Sequence, residues 1–163
     1  MNYYLFFDDP VVKRTVWALR GDGKLLICQH GNRIVAVMNS TLFNPIPNYS
    51  VLEDKLDGKK INSPDDLTVN SNGDFYFTDP RYGLPGLDRD SAKEIPFNGV
   101  YKISKGKVFL LIDTLTKPNG IAFFPNNKTL IVANSYAQKP IWYAFDIDDP
   151  IQFIMPEFLY CYQ

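Results

Sequence analysis

Residues 61–79 read INSPDDLTVNSNGDFYFTD, and residues 115–134 read LTKPNGIAFFPNNKTLIVAN. Each puts a proline before an acidic or amide residue, then an apolar alternating run, a polar turn and a second apolar run. Setting Asp65 over Asn119, an offset of 54, aligns Pro64 with Pro118, Asp66 with Gly120, Leu67 with Ile121 and Val69 with Phe123. One extra residue in the second turn then brings Phe75-Tyr76-Phe77 over Leu130-Ile131-Val132. A weaker third copy, TVWALRGDGKLLICQHGNR at residues 15–33, lies upstream at an offset of 50. It matches Gly23 with Gly73, Leu25 with Phe75 and Thr15 with Asp65. A long internal period of this kind decides the architecture before any single motif does.

Further strand pairs fill the gaps. RIVAVMN (33–39) alternates before a loop rich in Pro and Asn, and GVYKI and VFLLI flank the turn SKGK at 104–107 as a hairpin. IWYAFDI (141–147) closes the last unit. Each unit holds about four short strands in roughly 50 residues, the size of a β-propeller blade. The expected fold is therefore all-β: one partial propeller domain over 1–163, with blade-like units at 15–60, 61–114 and 115–150 and an unassigned tail at 151–163. A sandwich or meander with look-alike turns is the competing reading. The joint match of proline, polar residue, alternation and turn favours the propeller. Helical periodicity is not sustained anywhere, which leaves room only for a short helix in the loop 81–95.

Composition sets outer limits. The chain has 163 residues, long enough for one hydrophobic core, and its 45% apolar and 15% aromatic content is too rich for a disordered chain. A net charge of −1 gives no electrostatic case for nucleic acid or an anionic membrane. Cys28 and Cys161 read as two unrelated thiols, because nothing resembles a secreted disulfide framework. MNYYLFFDDP lacks the basic start and long apolar core of a signal peptide, and no apolar run reaches the ~20 residues that span a bilayer. A cytoplasmic location is the expectation.

Equivalent positions of successive blades form a ring around the central channel. The residue after each proline then lies near one mouth of that channel, so Asp65 and Asn119 point at one spot. Two oxygen-bearing side chains converging in this way suggest a hard cation.

CQHGNR, KINSPDDLTVNSNGDFYFTDPRYGL and KPNGIAFFPNNKTLIVANS together resemble the gluconolactonase family, which includes the senescence-marker proteins, from about residue 15 to residue 148. The resemblance implies a six-bladed propeller with a divalent cation, usually calcium, at the channel mouth, and hydrolysis of lactones. It makes Asn119, in the PNG motif, a metal ligand, and turns Asp65 toward the metal or the substrate. Here the family's SPND reads SPDD; an ionised aspartate still ligates calcium but donates no hydrogen bond. His30, the one histidine, sits in QHG where the family often has EHG, and is the candidate proton shuttle or substrate contact. Arg81, Tyr82 and Gly83 form a loop expected to border the pocket, with Arg81 and Tyr82 as substrate contacts. Asp66 and Asp79 are expected to bond within a blade, and Phe75, Tyr76, Phe77, Phe123, Phe124 and Trp142 to pack between blades.

The family's N-terminal Glu ligand and its late PDG aspartate have no counterpart, since residues 1–14 contain no Glu and no PDG follows residue 120. The chain is expected to run from within the second blade to the end of the fourth. Calcium takes 6–8 oxygens, so two protein ligands imply binding in roughly the millimolar range or weaker. About three blades do not close a ring, and open blade faces invite self-association, including two chains joined as one ring. The leading expectation is a calcium-dependent lactone hydrolase acting on a small-molecule lactone. The alternatives are a non-catalytic binding or scaffold segment and a degenerate remnant.

Overall fold

Alternating apolar residues put a row of side chains on each face of a strand, and turn residues with left-handed backbone reverse the chain between strands. In the computed structural model, which describes residues 15–147 and 152–154, this yields three four-stranded antiparallel sheets, each a meander in chain order. The first contains β1 (Thr15–Leu19), β2 (Leu25–Gln29), β3 (Ile34–Met38) and β4 (Tyr49–Glu53). A small hairpin follows, β5 (Lys55–Leu56) with β6 (Lys59–Lys60). The second sheet contains β7 (Leu67–Val69), β8 (Phe75–Asp79), β9 (Gly99–Ser104) and β10 (Lys107–Ile112). The third contains β11 (Pro118–Phe123), β12 (Thr129–Tyr136), β13 (Lys139–Asp146) and β14 (Gln152–Ile154). The first strand of the second sheet, β7, lies against both β1 and β11, so the sheets share an inner edge. These are consecutive blades of a β-propeller.

The repeated turns have a common conformation. Gly23 and Gly73, matched in the sequence, both hold left-handed backbone at φ +81° and +87°. In the third copy Asn127 takes that role at φ 55°, which fits the tolerance of Asn for this region. The turn at Lys105-Gly106 also has positive φ at both residues, as a two-residue hairpin requires. The hairpin at 55–60 was not expected, although its Asp57-Gly58 turn carries the same signal. Among the described residues the one helical element is a 3-10 turn, Leu87–Arg89, and no helix is long and apolar enough to cross a membrane. Residues 1–14, the tail from 155 and Cys161 lie outside the described residues, while Cys28 is a buried free thiol.

Two apolar layers hold the sheets together. Leu26, Cys28, Val35 and Val37 of the first sheet meet Leu67, Phe77, Tyr101 and Ile103 of the second. On its other face the second sheet turns Tyr76 and Val100 toward Ile121, Leu130, Val132 and Phe145 of the third. Aromatic rings serve both layers: Phe77 stacks on Tyr101 at 5.1 Å, and Tyr76 meets Phe123 edge-on at 4.9 Å. Phe124 and Trp142 depart from expectation, being 44% and 41% exposed. Strand alternation sends Trp142 away from the layer that its neighbour Tyr143 joins, and Phe124 falls beyond the end of β11. The opposite face of the first sheet is also apolar: the row Trp17, Ile27, Ala36 and Val51 crosses all four strands, buried at Ile27 and Ala36 and exposed at its two ends.

The short link 61–66 carries the chain from one blade to the next without a ladder of its own. Asp79 replaces that ladder. Its two oxygens accept the amides of Asn62 at 2.7 Å and Ser63 at 2.6 Å, and all three residues are buried. Arg33 anchors the same link by donating from Nε to the Ile61 carbonyl at 2.8 Å.

Two predictions follow from this packing. A Cβ at Gly99 would collide with the buried Tyr101 ring, so Gly99→Ala should lower stability by about 1–3 kcal/mol in a denaturant titration. Burial pushes the Asp79 carboxyl from 3.8 up to about 7, against the opposing pull of its two amide donors, Arg33 and Lys93. A raised carboxyl stabilises the fold at low pH, and that contribution is lost as pH rises through the folded value. Melting temperature should therefore fall between about pH 4 and pH 7 and level off above, and Asp79→Asn should flatten that slope.

Candidate active site at the blade mouth

In an antiparallel blade the start of the first strand and the end of the second lie at the same end. Asp65 precedes β7, Asn119 opens β11, His30 follows β2, Tyr82 follows β8 and Ser135 lies near the end of β12. All five therefore gather at one mouth, although 105 positions separate the first from the last. Each contact among them that crosses the mouth joins neighbouring sheets.

His30 and Asp65 meet across the first such boundary. His30 Nε2 lies 2.6 Å from Asp65 Oδ1, and both side chains are within a few per cent of complete burial. The contact is close but is not aligned as a straight hydrogen bond. The Asp65 backbone is held separately, its amide donating to the Thr78 carbonyl at 2.9 Å.

Tyr82 meets Asn119 and Ser135 across the second boundary. Its phenol lies beside both side chains. Burial raises the phenol above its ordinary value, the nearby Asp65 charge adds to this, and Arg81 opposes it. Tyr82 therefore stays a neutral donor at physiological pH. Its loop is fixed by Gly83, whose amide donates to Ser63 Oγ at 2.8 Å, while Ser63 Oγ donates to the Pro80 carbonyl at 2.6 Å.

The sequence-derived candidates thus divide. His30, Asp65, Tyr82 and Asn119 come together, whereas Arg81 pairs with Asp88 in its own loop. Ser135 was missed, because a serine at a strand end carries no signal until the neighbouring blade is in place. Asp66 also differs from expectation. One oxygen caps its own strand at Leu67, and the other accepts the Ile121 amide of the next blade at 3.0 Å. Burial raises its carboxyl, the two amide donors oppose this, and Asp65 adds a smaller upward push.

The donors that meet here are a carboxylate, an amide and two hydroxyls, a hard-oxygen set that suits calcium or magnesium better than softer metals. Among the described residues no three His, Cys, Asp or Glu side chains form a metal cluster. Asp65 and Asn119 are the side chains here that would supply oxygens to such a cation, which takes about 6–8 in all.

Fold and mouth together define a β-propeller protein whose chemistry-bearing side chains are shared between adjacent blades. The chain belongs to the SMP-30/gluconolactonase/LRE-like family, whose model matches residues 7–155. It is 36% identical over 129 residues to a gluconolactonase of Zymomonas mobilis, a match covering 78% of this chain and 35% of that protein. It is 35% identical over 86 residues to the lactonohydrolase oryL of Aspergillus oryzae, covering 52% of this chain and 20% of that protein. The solved gluconolactonase XC5397 of Xanthomonas campestris superposes with a TM-score of 0.70 at 28% identity, over 83% of this chain and 45% of that one. The chain thus spans about a third of the Zymomonas protein and under half of the Xanthomonas one.

A Cβ at Gly83 would stand 2.6 Å from Ser63 Cβ and 2.9 Å from the His30 carbonyl oxygen. Gly83→Ala should therefore lift the Tyr82 loop and lower stability by about 1–3 kcal/mol. Its Tyr82 phenol should also titrate nearer the ordinary tyrosine value in an ultraviolet pH titration, once less buried and further from Asp65.

Proposed function

We propose that this chain supplies part of the catalytic mouth of a gluconolactonase-like lactone hydrolase, with Asp65 and Asn119 as oxygen ligands of a divalent cation, calcium by preference. The observation that carries the reading is the meeting of Asp65, Tyr82 and Asn119 at one mouth, in a chain similar to gluconolactonases over most of its length. A bound cation would polarise the lactone carbonyl and stabilise the charge that develops on its oxygen. The chain's own residues then have separate tasks. Asn119 would present its amide oxygen to the cation, with the Tyr82 phenol beside it. Tyr82, kept neutral, offers a hydrogen bond to a sugar-like hydroxyl or to the ring oxygen. His30 backs Asp65 from the buried side and holds its carboxylate in place. Hydrolysis adds water across the acyl C–O bond and releases a hydroxy acid.

On this reading the apolar outward face around Trp17 and Val51 is a packing surface for a further blade of the ring. A second reading, a binding segment without turnover, draws on the same His30 contact, which occupies one oxygen of the Asp65 carboxylate.

Calorimetric titration of the chain with calcium tests the reading, with lactone hydrolysis followed by acid release on the same sample. Calcium should bind weakly, in about the millimolar range, and Asn119→Ala and Asp65→Ala should each weaken it by about tenfold or more. Chelator should remove any hydrolysis. Calcium binding without hydrolysis would favour the binding segment. No calcium binding, or binding indifferent to Asn119, would overturn the cation site.

A further inference from the structure

We infer that Thr78, in the second sheet, and Asp66, just before its first strand, are the positioning residues of Asn119 in the third. The inference rests on Asn119 being a cation ligand.

The ladder between β11 and β12 is broken where Asn119 lies. Pro118 pairs with Asn134 and Ile121 with Val132, so Asn119 and Gly120 sit in an irregular stretch with no assigned ladder partners. A bulge of this kind re-aims a side chain but leaves its backbone to be held by other means. The second sheet supplies those means. The Thr78 hydroxyl donates to the Asn119 carbonyl at 2.6 Å, and Asp66 Oδ2 accepts the Ile121 amide at 3.0 Å. These two bonds fix the peptide planes on either side of Gly120, a residue whose backbone is otherwise the least restricted. The direction of the Asn119 side chain follows from them.

Thr78 is itself aimed. Its Oγ1 accepts the Asp66 amide at 3.2 Å, so the hydroxyl proton is directed toward Asn119. The side chain is fully buried, and no solvent competes for that proton. Asp66 is equally constrained, its second oxygen being engaged by the Leu67 amide at 2.9 Å. The two residues therefore act on the ligand through its backbone.

The test uses the full chain and calcium alone as the probe. Thr78→Val keeps the shape of the side chain and removes the hydroxyl, while Thr78→Ser keeps the hydroxyl. Calorimetry should show calcium binding about tenfold weaker in Thr78→Val, with Thr78→Ser within about twofold of the parent, the size expected for groups that orient a metal ligand. A role confined to stability would instead lower the melting temperature of Thr78→Val and leave its calcium affinity unchanged, which overturns the inference. Loss of affinity in Asn119→Ala beside parental affinity in Thr78→Val overturns the positioning role and leaves the cation site standing. Parental affinity in Asn119→Ala, or no calcium binding by the parent, overturns both. Amide exchange gives a metal-free check. Asp66→Ala should speed exchange at Ile121 by about tenfold or more while β12 amides remain protected, and unchanged exchange at Ile121 overturns the inference.

Discussion

Passing from one blade to the next, the chain must leave a sheet, and its backbone amides lose their ladder partners inside a buried region. A buried N–H without an acceptor is costly, so something must replace the ladder. In this protein carboxylates do so. Asp79 accepts the amides of Asn62 and Ser63 at the entry to the second sheet, and Asp66 accepts that of Ile121 where the third sheet begins. Both acids are raised by burial and yet engaged by donors on both oxygens. The inner edge of the propeller depends on this exchange, and so does every side chain mounted on it.

The mouth residues inherit their positions from these junctions. Asp65 is the neighbour of Asp66 and also bonds the Thr78 carbonyl, so it moves only if the junction moves. Asn119 is bonded through its own carbonyl to the Thr78 side chain. Tyr82 is carried on a loop that Gly83 and Ser63 close against the same link. Apolar layers set the distance between sheets, whereas these polar junctions set their vertical register. A site built in this way is rigid although no single blade contains it.

Much of the architecture was legible in the sequence, because its signals are local. Alternation in LTV and FYFTD, the shared position of Gly23 and Gly73, and the SKGK hairpin each act within a few residues. The convergence of Asp65 and Asn119 was legible only through the repeat, which turns a sequence offset into an angle about an axis. Contacts that depend on how two blades meet were not legible. The His30–Asp65 pair, the reach of Asp66 to Ile121 and the involvement of Ser135 are set by the packing of Phe77, Tyr101 and Tyr76 between sheets. Trp142 was misjudged for the same reason: strand alternation places it on one of two faces, and an aromatic residue alone does not say which.

Each sheet is a meander, so its ladders join strands that are neighbours in the chain, whereas the bond from Asp66 to Ile121 spans 55 residues and that from Ser71 to Asn127 spans 56. Short loops close with little entropy loss and long ones with more, so the sheets form early and the seams between them late. A chain emerging from the ribosome would complete one blade before the next is available to dock. The seams are also the first elements to open under mild stress, since they hold fewer bonds per residue than the ladders. The mouth is thus the last part of the molecule to be assembled and the first to be lost, and native sheet content alone would not report its integrity.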